Sequence, residues 1–112
     1  MPQTQSIDHV MNLINKKLAQ TAKKKLIQVD GSLSFWVHNG PALKNLADLR
    51  KAFETINAEQ FLYHVNNTKN DFANWVEGVL QEPALALKLR GYKTQRTMAK
   101  AVATYLKKYY EV

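Results

Sequence analysis

The chain has 112 residues and a mass of 12.8 kDa, room for a single hydrophobic core, since domains run about 50 to 200 residues. A hydrophobic fraction of 46% with 22% charged residues excludes a wholly disordered chain, and zero cysteines exclude disulfides, thiolate zinc sites and thiol nucleophiles. Sixteen Lys and Arg against nine Asp and Glu leave a formal charge of +7, which favours an anionic partner such as nucleic acid or an acidic membrane surface.

The opening Met-Pro-Gln-Thr-Gln-Ser lacks the basic and apolar regions of a secretory signal. No window approaches the roughly 18 apolar residues of a membrane span. The expected address is therefore cytoplasmic, with no membrane span. Ser6 caps a predicted first helix in which Ile7, Val10, Met11, Ile14 and Leu18 share one face. Lys16, Lys17, Lys23, Lys24 and Lys25 form its basic end, where cations suit the helix dipole. Leu26 to Val29 and Leu33 to Val37 read as short strands separated by the turn pair Asp30-Gly31. Pro41 to Lys44 is the expected returning strand after His38-Asn39-Gly40, with Pro41 confining it to an edge.

From Asn45 the periodicity becomes helical. Leu46, Leu49, Phe53 and Ile56 form a stripe capped by Asn45, and Asn57 with Gln60 has the spacing of a capping box opening a helix with Phe61, Leu62 and Val65. Thr68 or Asn70 caps the next helix, whose apolar face is Phe72, Trp75, Val76, Val79 and Leu80. Pro83 opens a short helix with Leu85 and Leu89 that Gly91 ends. Thr94 caps the last helix, whose predicted buried stripe is Met98, Ala101, Val102, Tyr105, Leu106 and Tyr109, leaving Tyr110 outward. The predicted fold is mainly α with a small antiparallel β-hairpin, an α+β arrangement of five or six short helices. Residues 1–25 are an N-terminal basic amphipathic helix, 26–91 a hairpin plus helical core, and 92–112 a C-terminal basic helix, all one domain.

Charge is unevenly spread along the chain. Residues 1–25 carry +4, residues 26–82 carry −3 and residues 83–112 carry +6. Basic ends flanking a near-neutral middle are a pattern that accompanies polyanion binding, although basic terminal helices also serve solubility. The candidate nucleic-acid contacts are Lys23, Lys24, Lys25, Lys93, Arg96, Lys100, Lys107 and Lys108, with Arg96, Lys100 and Lys107 close together around the last helix. Phe35, Trp36, Tyr63, Trp75 and Tyr92 are candidate stacking faces for unpaired bases, though most suit a core.

His64, Asn66, Asp71, Asn74 and Trp75 are a candidate polar pocket, because polar groups beside aromatics describe a default ligand site. Helix capping by Asn and Asp explains the same residues. His64 with Asp71 is the one local acid-base pair, and no nucleophile elbow, phosphate loop or dinucleotide turn accompanies it. His9, His38 and His64 lack metal-ligand spacing. The chain therefore reads as a non-enzymatic binding module with no metal or cofactor. Its expected partner is DNA or RNA, contacted through phosphates, or else a protein held by the hairpin edge or the Asn-rich turn.

Phe35-Trp36-Val37-His38-Asn39-Gly40, Leu43 to Leu49, Phe61-Leu62-Tyr63-His64-Val65-Asn66 and Asn70-Asp71-Phe72-Ala73-Asn74-Trp75-Val76 together resemble a small uncharacterised prokaryotic domain family of archaea and bacteria. The likeness covers about residues 33–90, and its most specific parts are His-Val-Asn and Asn-Asp-Phe-Ala-Asn-Trp-Val. It implies a module boundary and no catalytic residue, with the basic ends at or beyond its margin.

Overall fold

The computed structural model describes residues 23–111; the expected first helix, from Ser6 to Leu18 with Lys16 and Lys17, lies outside them. A 3-10 turn at Gly31–Leu33 leads into a hairpin of β1 (Phe35–Trp36) and β2 (Ala42–Leu43), followed by five helices. These are α1 (Leu46–Thr55), α2 (Ala58–His64), α3 (Asp71–Gly78), α4 (Pro83–Arg90) and α5 (Gln95–Tyr109). The mainly helical fold with a small antiparallel hairpin is as predicted.

Local chemistry sets most boundaries. Gly31 has φ +58°, the conformation that glycine adopts without a Cβ penalty. The hairpin pairs Phe35 with Leu43 and Trp36 with Ala42, and its turn is closed by Val37 N–H donating to the Pro41 carbonyl. Alternation buries Phe35 and Val37 and leaves Trp36 at 65% exposure. Asn45, Asn57, Asn70 and Thr94 each accept a backbone N–H at the start of α1, α2, α3 and α5, and Asn57 with Gln60 completes the capping box.

Several expectations change. Leu26 to Val29 is not a strand; it is tied beside the hairpin by Val29 N–H donating to the Lys44 carbonyl. Leu33 belongs to the 3-10 turn, which shortens the predicted strand to Phe35–Trp36, and the returning strand to Ala42–Leu43. Leu62 is exposed, because it lies about 100° around the helix from Phe61, and the two turns of α2 supply only Phe61 and the His64 ring to the core. Val79 lies just past the end of α3.

The core is one cluster, with α5 packed against α1 and α4, and α3 against α4. Phe72 sits fully buried at its aromatic centre, stacked on Phe35 at 4.7 Å and meeting Phe53 edge-on at 4.9 Å.

The largest correction concerns two tyrosines. Tyr109 is 41% exposed, whereas Tyr110 is buried at 2%. Helical phase stops at Tyr109, and extended backbone at Tyr110 turns its ring inward. There its hydroxyl donates to Glu82, as does that of Tyr105, and Lys24 Nζ approaches the same carboxylate at 2.9 Å. Glu82 is only 3% exposed. It precedes Pro83 at the N-cap position of α4, yet its side chain makes no capping bond there. A parallel bridge fastens the same corner: Lys24 N–H donates to the Tyr109 carbonyl at 2.8 Å, and Glu111 N–H to the Lys24 carbonyl at 2.9 Å.

Burial would raise the Glu82 pKa, but hydrogen bonds from Tyr105, Tyr110 and Lys24, with the Lys24 charge, outweigh it and hold the carboxyl below its ordinary range. Both phenols are raised, first by burial and then by the bond to Glu82 and its charge. Glu82 thus stabilises fully above the ordinary glutamate range and loses its contribution as pH falls towards its lower folded value. The tyrosines hold their protons more tightly when folded, so stability also declines as pH rises past about 10. In urea unfolding, Glu82→Ala is expected to cost about 3 kcal/mol, since it strands buried donors. Lys24→Ala, losing a half-exposed ammonium, should cost under about 1 kcal/mol. Equal effects would contradict this division.

Candidate nucleic-acid interface

Helix α5 carries its cations on the side opposite its core face. At 3.6 residues per turn, Arg96, Lys100 and Lys107 fall within roughly 40° of one another, away from buried Met98, Val102, Tyr105 and Leu106. Thr104 lies on the same outer side. Because α1 packs along one flank of α5 and α4 along the other, two furrows border this crest.

The first furrow, about 470 Å³, is lined by Lys23, Arg50, Ala103, Thr104, Leu106 and Lys107. The second, about 230 Å³, is lined by Lys88, Tyr92, Thr97, Lys100, Ala101 and Thr104. Thr104 borders both, so the two join across the crest. Among the described residues neither lining contains a carboxylate. Lys23 reaches this surface because the Lys24 bridge lays the N-terminal segment beside the end of α5, where Lys23 Nζ also donates to the Lys107 carbonyl at 3.2 Å. That contact is a favourable cation at a helix C-terminus in its own right.

Of the eight predicted cations, only Lys24 has a carboxylate partner among the described residues. Lys24 is thus spent on Glu82. Lys23, Lys100 and Lys107 line the furrows, and Arg96 extends the crest. Lys25 is exposed, Lys108 lies over the Tyr109 ring at 5.3 Å, and Lys93 borders a separate hollow. Two contributors were missed in sequence, Arg50 and Lys88. Arg50 sits in the net-acidic middle segment and joins the cations only through packing of α1 on α5. Its ion pair with Glu54 is exposed and long, at 3.8 Å, a weak competitor for an anion.

The five residues of the predicted polar pocket do not form one site. Trp75 is buried and its Nε1 donates to the Leu33 carbonyl at 2.8 Å. Asn66 and Asn74 border a hollow of about 310 Å³ with Asn67, Asn70, Arg90 and Lys93. Most of its amides already serve the fold. Asn66 Oδ1 accepts the Thr68 and Lys69 N–H groups, Asn70 caps α3 and donates to the Leu89 carbonyl, and Asn74 Oδ1 accepts from Arg90.

His64 and Asp71 do meet, with Nδ1 to Oδ2 at 3.0 Å. The other ring nitrogen, Nε2, accepts the His38 backbone N–H at 3.0 Å. A backbone amide can only donate, so Nε2 carries no proton and the Nδ1 proton points at Asp71. Lys69 Nζ, at 2.9 Å, holds the same carboxylate oxygen. No ring lone pair remains for a substrate. The expected acid-base pair is present as a tie between the hairpin turn, α2 and α3.

Nitrogen NMR in mildly alkaline solution should therefore find His64 as the Nδ1–H tautomer, and His64→Ala should cost about 3 kcal/mol through lost bonds and a buried ring. An Nε2–H tautomer would contradict the assignment.

Among the described residues no three His, Asp or Glu side chains gather as a metal site, and no helix is long and apolar enough to cross a membrane. Compared with protein-family models, curated proteins and solved structures, the chain finds no match.

Proposed function

We propose that this protein is a non-enzymatic module that binds nucleic acid through its phosphates, using the outer face of α5 and the two furrows beside it. One observation carries this reading: Lys23, Arg50, Lys88, Lys100 and Lys107 come from four separate chain segments onto linings that hold no carboxylate among the described residues. Thr104 adds a hydroxyl donor suited to phosphate oxygens, whereas the Thr97 hydroxyl already donates to the Thr94 carbonyl at 2.9 Å. Solubility alone asks only for scattered charge.

If all five cations meet phosphates, log affinity falls against log salt with a slope of about −3.5 to −4.5. Fluorescence anisotropy with labelled oligonucleotides measures that slope and locates its origin. Replacing Lys100 and Lys107 together by Glu is expected to lower affinity at least about tenfold and flatten the slope by about 2. Replacing Lys44 and Lys51 by Glu changes net charge equally away from this face and should leave affinity within about twofold. Equal losses from the two pairs would reduce the effect to net charge and remove the α5 face from the proposal.

Trp36, on the outer side of the hairpin, favours a second reading as a protein-binding surface. That reading expects a partner whose affinity ignores salt and falls with Trp36→Ala.

A further inference from the structure

The furrow between α4 and α5 differs from its neighbour in one respect. It holds an aromatic ring. Tyr92, 39% exposed, lines it together with Lys88, Lys100, Thr97 and Thr104, and among the described residues no other aromatic side chain lines either furrow. Tyr92 is held there by position: it follows Gly91 at the end of α4, and its N–H donates to the Leu89 carbonyl. Its hydroxyl makes no hydrogen bond among the described residues. A half-exposed ring flanked by two ammonium groups is the combination that unpaired nucleotides use, with a base on the ring and adjoining phosphates on the cations.

A duplex fits this surface less well. Its bases are stacked on each other and offer a ring nothing, and a helix entering the major groove reaches it with its crest. Here Arg50, Lys88 and the ring lie in the furrows beside the crest. Beyond Tyr92, Lys93 borders the amide-lined hollow of Asn66, Asn67 and Asn74. The Oδ1 atoms of Asn66 and Asn74 are taken up by the fold, but their Nδ2 groups make no hydrogen bond among the described residues and can donate to base edges, which only an unpaired strand leaves open on every side.

We infer that the nucleic acid bound on this face is single-stranded, with one unpaired base stacked on Tyr92 and its flanking phosphates on Lys88 and Lys100. This rests on the phosphate-binding reading of the same face, and the test separates the two. The full chain is titrated against a labelled single strand of about 12 nucleotides, as DNA and as RNA, against the duplex of the same sequence, and against inorganic polyphosphate as a probe with charge but no bases. The expected result is that the single strand binds more tightly than the duplex, that Tyr92→Ala weakens it about tenfold, and that polyphosphate binding is unchanged. Tyr92→Phe should retain single-strand affinity, because it keeps the ring. Comparing the DNA and RNA arms then identifies the sugar preferred. Duplex and polyphosphate binding as tight as the single strand, with Tyr92→Ala silent, would overturn the inference and leave the phosphate reading standing. An equal loss of polyphosphate binding in Tyr92→Ala would make the ring structural and overturn it too. Failure of every probe to bind would remove both.

Discussion

The buried carboxylate of Glu82 is the contact on which the arrangement of the chain ends depends. A carboxylate can lose most of its water only where donors replace it. Tyr105, Tyr110 and Lys24 do so from α5, from the residue that ends α5 and from the N-terminal segment. The adjoining Lys24 bridge to Tyr109 and Glu111 gives the same corner a backbone lock. Together they decide where residues 23–25 run, and so put Lys23 beside Lys107 and Arg50. The arrangement consumes one cation, Lys24, and delivers another to the furrow.

Elements bounded by local chemistry were legible in the sequence. Asn45, Asn57 with Gln60 and Thr94 announced three helix starts, and a fourth was narrowed to Thr68 or Asn70, of which Asn70 is the cap, because a cap acts on amides two or three residues away. The alternation of Phe35, Trp36 and Val37 was readable for the same reason. What failed depended on partners remote in sequence. Tyr109 and Tyr110 exchange roles because the helix stops one residue short of a ring that Glu82 requires 28 positions upstream. Leu26 to Val29 has strand chemistry but finds only one ladder bond, at Val29. Arg50 could not be assigned to the basic face without knowing that α1 packs on α5.

His64 and Asp71 show the same limit at the level of chemistry. Their meeting was foreseeable, but their role turned on a backbone amide at His38, which no residue pattern reveals. The dense polar segment from Tyr63 to Trp75 is mostly occupied with caps, an Asn-centred turn and a buried histidine tie. The cations of α5, by contrast, have no such internal employment among the described residues apart from the end-of-helix contacts near Lys107 and the ring beneath Lys108. Polar side chains in the folded chain thus divide into a set that satisfies the backbone and a set left to solvent or to a ligand. Of the second set, Lys23, Arg50, Lys88, Lys100 and Lys107 line the two furrows beside α5.

The most direct test of that face is a backbone amide NMR titration of the full chain with a short oligonucleotide at low salt. Binding through α5 predicts shifts at Lys88, Tyr92, Lys100, Thr104, Lys107, Arg50 and Lys23, with Trp36 and the hairpin silent. Shifts centred on the hairpin, or spread evenly over every exposed lysine, would contradict it.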